Sequence, residues 1–136
     1  MLFYSKIKKN KLIYSYFKLS EFKKTREDFS PDNEYLQASC SILSSDKVVK
    51  SHSHKLNKRT IKLTQEAWLV LKGSIKAKFY DIDHSLLSEI ILKKGDCVIL
   101  YNGGHDFKTL KKNTILYEFK NGPYYGSKKD RIDFDK

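Results

Sequence analysis

The chain has 136 residues, which allows one domain with its own core and is short for two. Hydrophobic residues make up 40% of the chain and there are only two prolines, which excludes a disordered or low-complexity protein. The formal net charge is +11, but only Arg26, Arg59 and Arg131 are arginine, the residue best suited to phosphate and guanine recognition. The composition therefore predicts a lysine-rich, solvated surface and no nucleic-acid partner.

Membrane and secretory signals are missing from the sequence. No stretch approaches the roughly 20 apolar residues of a membrane span. The apolar run 12–17 is too short and too polar to be the core of a secretory signal. Cys40 and Cys97 are too few for a disulfide framework. We therefore expect a cytoplasmic protein with no membrane partner.

The N-terminal residues differ from the rest of the chain in charge. Seven lysines and Arg26 are opposed only by Glu21 in residues 1–26, which gives this stretch a charge of +7. Its apolar run 12–17 could form one strand, but its lysine flanks make it a poor folding nucleus. The sequence therefore predicts a basic N-terminal arm or strand over residues 1–28, lying on a β-barrel domain of residues 29–136.

From residue 35 onward the sequence has the pattern of an all-β protein. Short β-branched, aromatic or alternating stretches are separated by turn residues such as Gly73, Gly95 and Asn102-Gly103-Gly104. Many short antiparallel strands avoid open edges in a closed barrel or a two-sheet jelly roll. The predicted strands are 35–43, 48–54, 59–64, 66–72, 74–80, 86–92, 97–101, 105–110 and 114–120.

Strand alternation predicts which side chains are buried. In the strand 74–80, Ile75, Ala77 and Phe79 should face the core while the intervening lysines face water. The stretch 67–71 is apolar on both faces, which favours a strand covered by a second layer or by another subunit and suggests a homodimer. The large aromatic residues predicted to lie in the core are Trp68, Phe79, Phe107, Tyr117 and Phe119.

Three histidines and one glutamate are the candidate functional residues. His52 and His54 are two apart on a predicted strand and so project from one face, where they could both bind a metal. Glu66 begins an apolar strand, and its buried charge would need a metal ion or a basic side chain beside it. His105 follows a glycine-rich turn. Such a donor set suits iron, manganese, nickel, copper or zinc.

The order of these residues resembles the two sequence motifs of the cupin family. The positions that carry the resemblance are His52-Ser53-His54, Glu66, Gly73, Gly95-Asp96 and His105. Three shorter motifs are similar to those of a poorly characterised group of small single-domain cupins. These motifs are Thr64-Gln65-Glu66, Gly103-Gly104-His105-Asp106-Phe107 and Gly122-Pro123-Tyr124-Tyr125-Gly126.

The resemblance covers about residues 28–136 and implies a fold, a site and an assembly. Cupins are jelly-roll β-barrels and are commonly homodimers. In that family the corresponding histidines and glutamate bind one divalent metal, so the resemblance assigns metal ligation to His52, His54, Glu66 and His105. The alternative is an uncharged, metal-free cluster of the histidines with Glu66. We expect His84, in a hairpin turn, to be an ordinary surface residue.

Three functions are consistent with this sequence. The first is a metal-binding cupin that binds or transforms a small molecule, with carbohydrate or surface-polysaccharide metabolism as one setting consistent with it. The second is a metal-free ketoisomerase or epimerase of a nucleotide-linked sugar, with His54 or His105 as the base and Tyr101 as a candidate acid. The third is a ligand-binding module without catalysis. The sequence indicates no particular substrate.

Overall fold

The structure is a computed structural model, and it describes residues 1–134. Within these residues the chain forms ten strands and two single helical turns. The strands are β1 (Leu2–Tyr4), β2 (Leu12–Phe17), β3 (Arg26–Asp28), β4 (Ser39–Ser41), β5 (Glu66–Lys72), β6 (Ser74–Tyr80), β7 (Leu86–Lys93), β8 (Cys97–Leu100), β9 (Gly104–Thr109) and β10 (Ile115–Lys120). The helical turns are a 3-10 turn at Leu19–Glu21 and the helix α1 at Ser127–Asp130.

All the strands pair antiparallel, in three sheets. The largest sheet has five strands in the order β1-β2-β8-β5-β10, and the second has three in the order β7-β6-β9. Strands β3 and β4 form a small two-stranded ladder. Strands account for about 40% of the chain, so the predicted all-β class is confirmed. In the described part of the chain, no helix is long and apolar enough to cross a membrane.

Gly73 lets the chain pass directly from one large sheet to the other. It lies between β5 and β6 and has a φ of +78°, a conformation that residues with a side chain adopt at a cost. A side-chain carbon added at Gly73 would also lie 2.4 Å from Thr114 Oγ1. Both the backbone conformation and the close neighbour therefore require glycine at this position.

The main core lies where the inner faces of the two large sheets meet. As predicted, Ile75, Ala77 and Phe79 of β6 are fully buried, while Lys76 and Lys78 are partly exposed and pair with Glu89 of β7. The core residues contributed by other strands include Ile13, Trp68, Val70, Leu92, Val98 and Leu100. In β6 the alternation of side chains thus separates the core from the solvent.

The N-terminal residues form part of the five-stranded sheet. All six residues of β2 are buried, and β2 pairs with β8 as well as with β1. The ring of Tyr14 stacks between Phe3 at 4.3 Å and Phe79 at 3.9 Å, and its hydroxyl hydrogen-bonds Ser88 Oγ at 2.7 Å. Of the two forms expected for residues 1–28, an arm or a strand, the apolar run 12–17 adopts the strand.

Residues 42–63 differ most from the sequence expectations. The predicted strands 48–54 and 59–64 are absent, and the side chains of this segment are exposed. Within 35–43, only Ser39–Ser41 forms a strand. These stretches interleave a few apolar residues with Ser, Lys and His, so they have little apolar surface to bury against a neighbouring strand.

Three of the five aromatic residues expected in the core are exposed. Phe107, Tyr117 and Phe119 are 41%, 55% and 51% exposed, whereas Trp68 and Phe79 are buried as predicted. The reason is topological, since the three lie on β9 and β10, which are edge strands of their sheets. Strand alternation alone does not show which strands are at an edge.

Candidate functional site

A cleft of about 790 Å³ is lined by β5, β6, β9, β10 and residues of the C-terminal segment 124–134. Its volume lies within the range of roughly 300 to 1,000 Å³ that is usual for small-molecule sites. The wall combines charged groups with aromatic rings. The aromatic members are Trp68, Tyr80, Phe107, Tyr124 and Phe134.

Glu66 is the centre of a charged cluster in this cleft. One carboxylate oxygen, Oε1, lies 2.9 Å from Lys120 Nζ, and the other, Oε2, lies 3.4 Å from His105 Nε2. Lys120 also pairs with Glu118 at 3.0 Å. Two sheets assemble the cluster: β10 pairs with β5 so that Lys120 lies opposite Glu66, while His105 comes from β9.

The cluster determines the charge of Glu66. Its side chain is only 13% exposed, and this burial raises the pKa, but the hydrogen bonds with His105 and Lys120 outweigh it and lower the pKa to about 2. Burial lowers the pKa of Lys120, but its bonds to Glu66 and Glu118 raise it by more, so the net direction is upward. Glu66 and Lys120 are therefore an ion pair at neutral pH. Of the two partners expected for this buried carboxylate, a metal ion or a basic side chain, the structure has the basic side chain.

Aromatic contacts hold His105 from one side. The Trp68 ring meets the His105 ring edge-on at 5.1 Å and meets Phe107 in the same way at 5.1 Å. Trp68 Nε1 donates to Glu118 Oε2 at 3.2 Å, which fixes the orientation of the indole. The imidazole is thus packed against Trp68 and bonded to Glu66, and its side chain is 30% exposed.

The C-terminal segment forms another wall of the cleft. The ring of Phe134 stacks on His84 at 4.0 Å, with an interplanar angle of 2°, and meets Tyr80 edge-on at 5.2 Å. Tyr80 donates a hydrogen bond of 2.5 Å to Asp106 Oδ2, and this bond is the main reason that the pKa of Tyr80 is raised to about 12. His84, expected to be a plain surface residue, is half-buried and lines the cleft.

The structure brings together two of the four predicted metal ligands. His52 and His54 lie in the exposed segment 42–63, where their ring centroids are 5.5 Å apart and His52 Nδ1 bonds Lys50 O. Within residues 1–134, no three His, Cys, Asp or Glu side chains form a group that could hold a metal ion. The Lys120 ammonium group also forms an ion pair with the Glu66 carboxylate, where a metal ion would otherwise bind. The residues around Glu66 therefore do not fit a transition metal as arranged, and the four-ligand site stays a prediction.

Tyr101, the candidate acid, lies away from the cleft. Its side chain is fully buried, in a cluster with Leu12 and Ala67. Its hydroxyl bonds Ser15 Oγ at 3.0 Å and donates to Phe29 O at 3.3 Å. Burial raises its pKa. These contacts give Tyr101 a packing role, and it is not among the residues that line the cleft.

Sequence reasoning missed Lys120 and Glu118. The signal was present in the alternation of β10, because Glu118 and Lys120 share a face with Leu116, which packs against the main core. Two charged residues on the core side of a strand indicate a polar site at its end. The pairing with Glu66 depends on the register between β5 and β10, which the sequence of either strand alone does not specify.

Comparison of the chain with protein-family models, with curated proteins and with solved structures gives no match.

Proposed function

We propose that the cleft binds a small polar molecule of the carbohydrate class and that His105 transfers a proton to and from it. The observation that carries this proposal is the contact of 3.4 Å between His105 Nε2 and Glu66 Oε2 in an open cleft. An imidazole oriented by a carboxylate is a common general base, because the carboxylate fixes the tautomer and stabilises the charged form. Glu66 favours a proton on Nε2, which leaves Nδ1 to accept one from the ligand.

The walls of the cleft support a sugar-like ligand. Aromatic rings offer apolar surface to the faces of a sugar, while Glu118, Lys78 and Arg131 offer hydrogen-bonding groups for hydroxyls or a phosphate. Lys120 adds a positive charge beside the His105–Glu66 pair, where it would stabilise an oxyanion. In the isomerisation of an α-hydroxy ketone, His105 would remove the proton from the hydroxyl-bearing carbon, which gives an enediol, and return it to the former carbonyl carbon. The hydroxyl proton moves from one oxygen to the other, so the carbonyl and the hydroxyl group exchange places.

Proton exchange in heavy water tests this function. The full chain, treated with EDTA, would be incubated with nucleotide-linked ketosugars in D₂O, and deuterium incorporation followed by NMR. We expect His105→Ala to slow the exchange about 100-fold or more while the sugar still binds. The matched control is His52→Ala, which removes a histidine from outside the cleft. Equal rates for His105→Ala and the native chain would refute the proposal, and binding without exchange in the native chain would indicate a non-catalytic ligand-binding protein.

A second candidate is the metal-binding cupin, supported by the adjacency of Glu66 and His105. In this proposal the two large sheets belong to a jelly roll that is completed when residues 48–54 pair along β9, which is an edge strand in the described part of the chain. That pairing would bring His52 and His54 toward His105. Elemental analysis of chelator-free protein tests it: we expect one divalent transition metal per chain, lost in the His52→Ala/His54→Ala variant. Metal-free protein after reconstitution would contradict this candidate.

We also propose that the protein forms a homodimer. Ile115, Tyr117 and Phe119 are each about half exposed along the edge strand β10, and a row of apolar side chains on an edge strand is a typical pairing surface. Analytical ultracentrifugation would show a dimer of the native chain and a shift toward monomer for Tyr117→Lys. A native monomer at all accessible concentrations would contradict this proposal.

A further inference from the structure

A second cavity, of about 600 Å³, lies on the opposite face of the five-stranded sheet from the cleft. The alternation of β5 creates both sites, since Trp68 points into the core and toward the cleft while Ala67 and Leu69 line the cavity. The other side of the cavity is formed by residues 29–40, whose Phe29 and Ala38 pack against the sheet near Ala67. This segment is the second layer that the two-sided apolar pattern of β5 predicts.

The cavity is apolar almost throughout. Its polar side chains are those of Gln37, Ser39 and Lys94, and the rest of its lining consists of apolar side chains, Gly95 and the two cysteines. Burial raises the pKa of the Cys97 thiol to about 12, so this wall is uncharged at neutral pH. An apolar lining of this kind favours the binding of apolar groups. The volume of the cavity suits a ligand of small-molecule size.

Lys94 supplies a single positive charge at the rim. Its side chain is exposed, and it makes no ion pair within residues 1–134. The turn that carries Lys94 is fixed by Asp96, which accepts hydrogen bonds from Lys93 N at 2.9 Å and from Leu19 N at 3.1 Å. A cation beside an apolar cavity complements a ligand that has an aliphatic chain and one negative head group.

We propose that this cavity binds a single-chain aliphatic carboxylate. Its chain would lie against Leu69 and Leu71, and its carboxylate would pair with Lys94. The site is separate from the cleft and from the Glu66 cluster, so it does not depend on the function proposed for them.

Calorimetry with decanoate and decanol tests the proposal. Full-length, delipidated protein would be titrated with each compound below its micelle concentration. We expect Leu69→Trp, which fills the cavity from a partly buried position, to weaken decanoate binding about tenfold or more. Lys94→Glu should weaken decanoate about fivefold and leave decanol unchanged. The matched control is Lys112→Glu, which makes the same charge change in the exposed turn before β10.

Several results would overturn the proposal. Decanoate binding that is absent in the native chain, or that survives Leu69→Trp, would exclude the cavity as the site. Equal effects of Lys94→Glu and Lys112→Glu would show that net charge and not Lys94 attracts the carboxylate. The other possible occupant of the cavity is a second copy of the chain, and ultracentrifugation of the same samples tests for it. If decanoate binds only when a dimer dissociates, the cavity belongs to the dimer interface and the proposal is wrong.

Discussion

Replacing Glu66 with glutamine should reduce stability in a pH-dependent way. The pKa of Glu66 is about 2 in the folded chain, against an ordinary value of 4.5. Because the folded pKa is the lower one, the ionised carboxylate stabilises the fold above pH 4.5, and this contribution is lost as the pH falls toward 2. A difference of about 2.5 pKa units corresponds to about 3 kcal/mol, and the side chain is only 13% exposed, so solvent screening removes little of it.

Urea unfolding of the native chain and of Glu66→Gln at pH 7, 5, 4, 3 and 2 measures this contribution. We expect Glu66→Gln to lose about 3 kcal/mol at pH 7 and less than about 0.5 kcal/mol at pH 2, where Glu66 is half protonated in the folded chain and almost fully protonated in the unfolded chain. Glu118→Gln is the matched control, because its side chain is 43% exposed and should contribute less than about 1 kcal/mol. A stability difference that stays constant with pH would refute the reasoning.

Two further predictions concern the framework of the cleft. Gly73→Ala should destabilise the chain by about 2 kcal/mol in urea unfolding, because its φ is +78°, whereas Gly122→Ala, whose nearest neighbour would be 3.8 Å away, should cost far less. Equal losses would contradict the role given to the Gly73 conformation. Tyr80→Phe should cost about 1 kcal/mol by losing the bond to Asp106, while Tyr117→Phe, at an exposed position, should stay within about 0.5 kcal/mol. An unchanged midpoint for Tyr80→Phe would show that this bond does not contribute to stability.

Much of the fold could be predicted because local signals in the sequence agree with each other. The predicted strands 66–72 and 74–80 coincide with β5 and β6. The later predictions differ from β7, β8 and β10 by one residue at one end, and from β9 by one residue at both ends. Each has alternating or continuous apolar residues and a turn residue at its boundary. The predicted strand 48–54 has two adjacent valines followed by serines that alternate with histidines, and it has no partner in the described structure. A strand requires a neighbour, and a local pattern does not supply one.

The candidate site shows the same limit at the level of side chains. Glu66 and His105 could be proposed from sequence because a charge in an apolar strand and a histidine after a glycine turn are local signals. The sequence could not predict that Lys120 lies beside Glu66, because its position depends on the register between β10 and β5. The sequence therefore left a metal ion or a basic side chain as the partner of Glu66, and tertiary structure provides the basic side chain.

A substitution at Lys120 distinguishes between the two functions proposed for the cleft. The Lys120 ammonium group lies 2.9 Å from Glu66 Oε1, where its charge would attract an anionic ligand and repel a metal cation. Lys120→Met keeps the length of the side chain and removes the charge. If the cleft catalyses proton transfer without a metal, Lys120→Met should exchange the protons of the sugar more slowly than the native chain does. It should also bind zinc no more tightly than the native chain. If Glu66 and His105 belong to a metal site, the variant should bind zinc more tightly, and His52→Ala should cancel the gain. With Lys112→Met as the control for net charge, zinc competition measurements on these variants would show which cation the Glu66 carboxylate accepts.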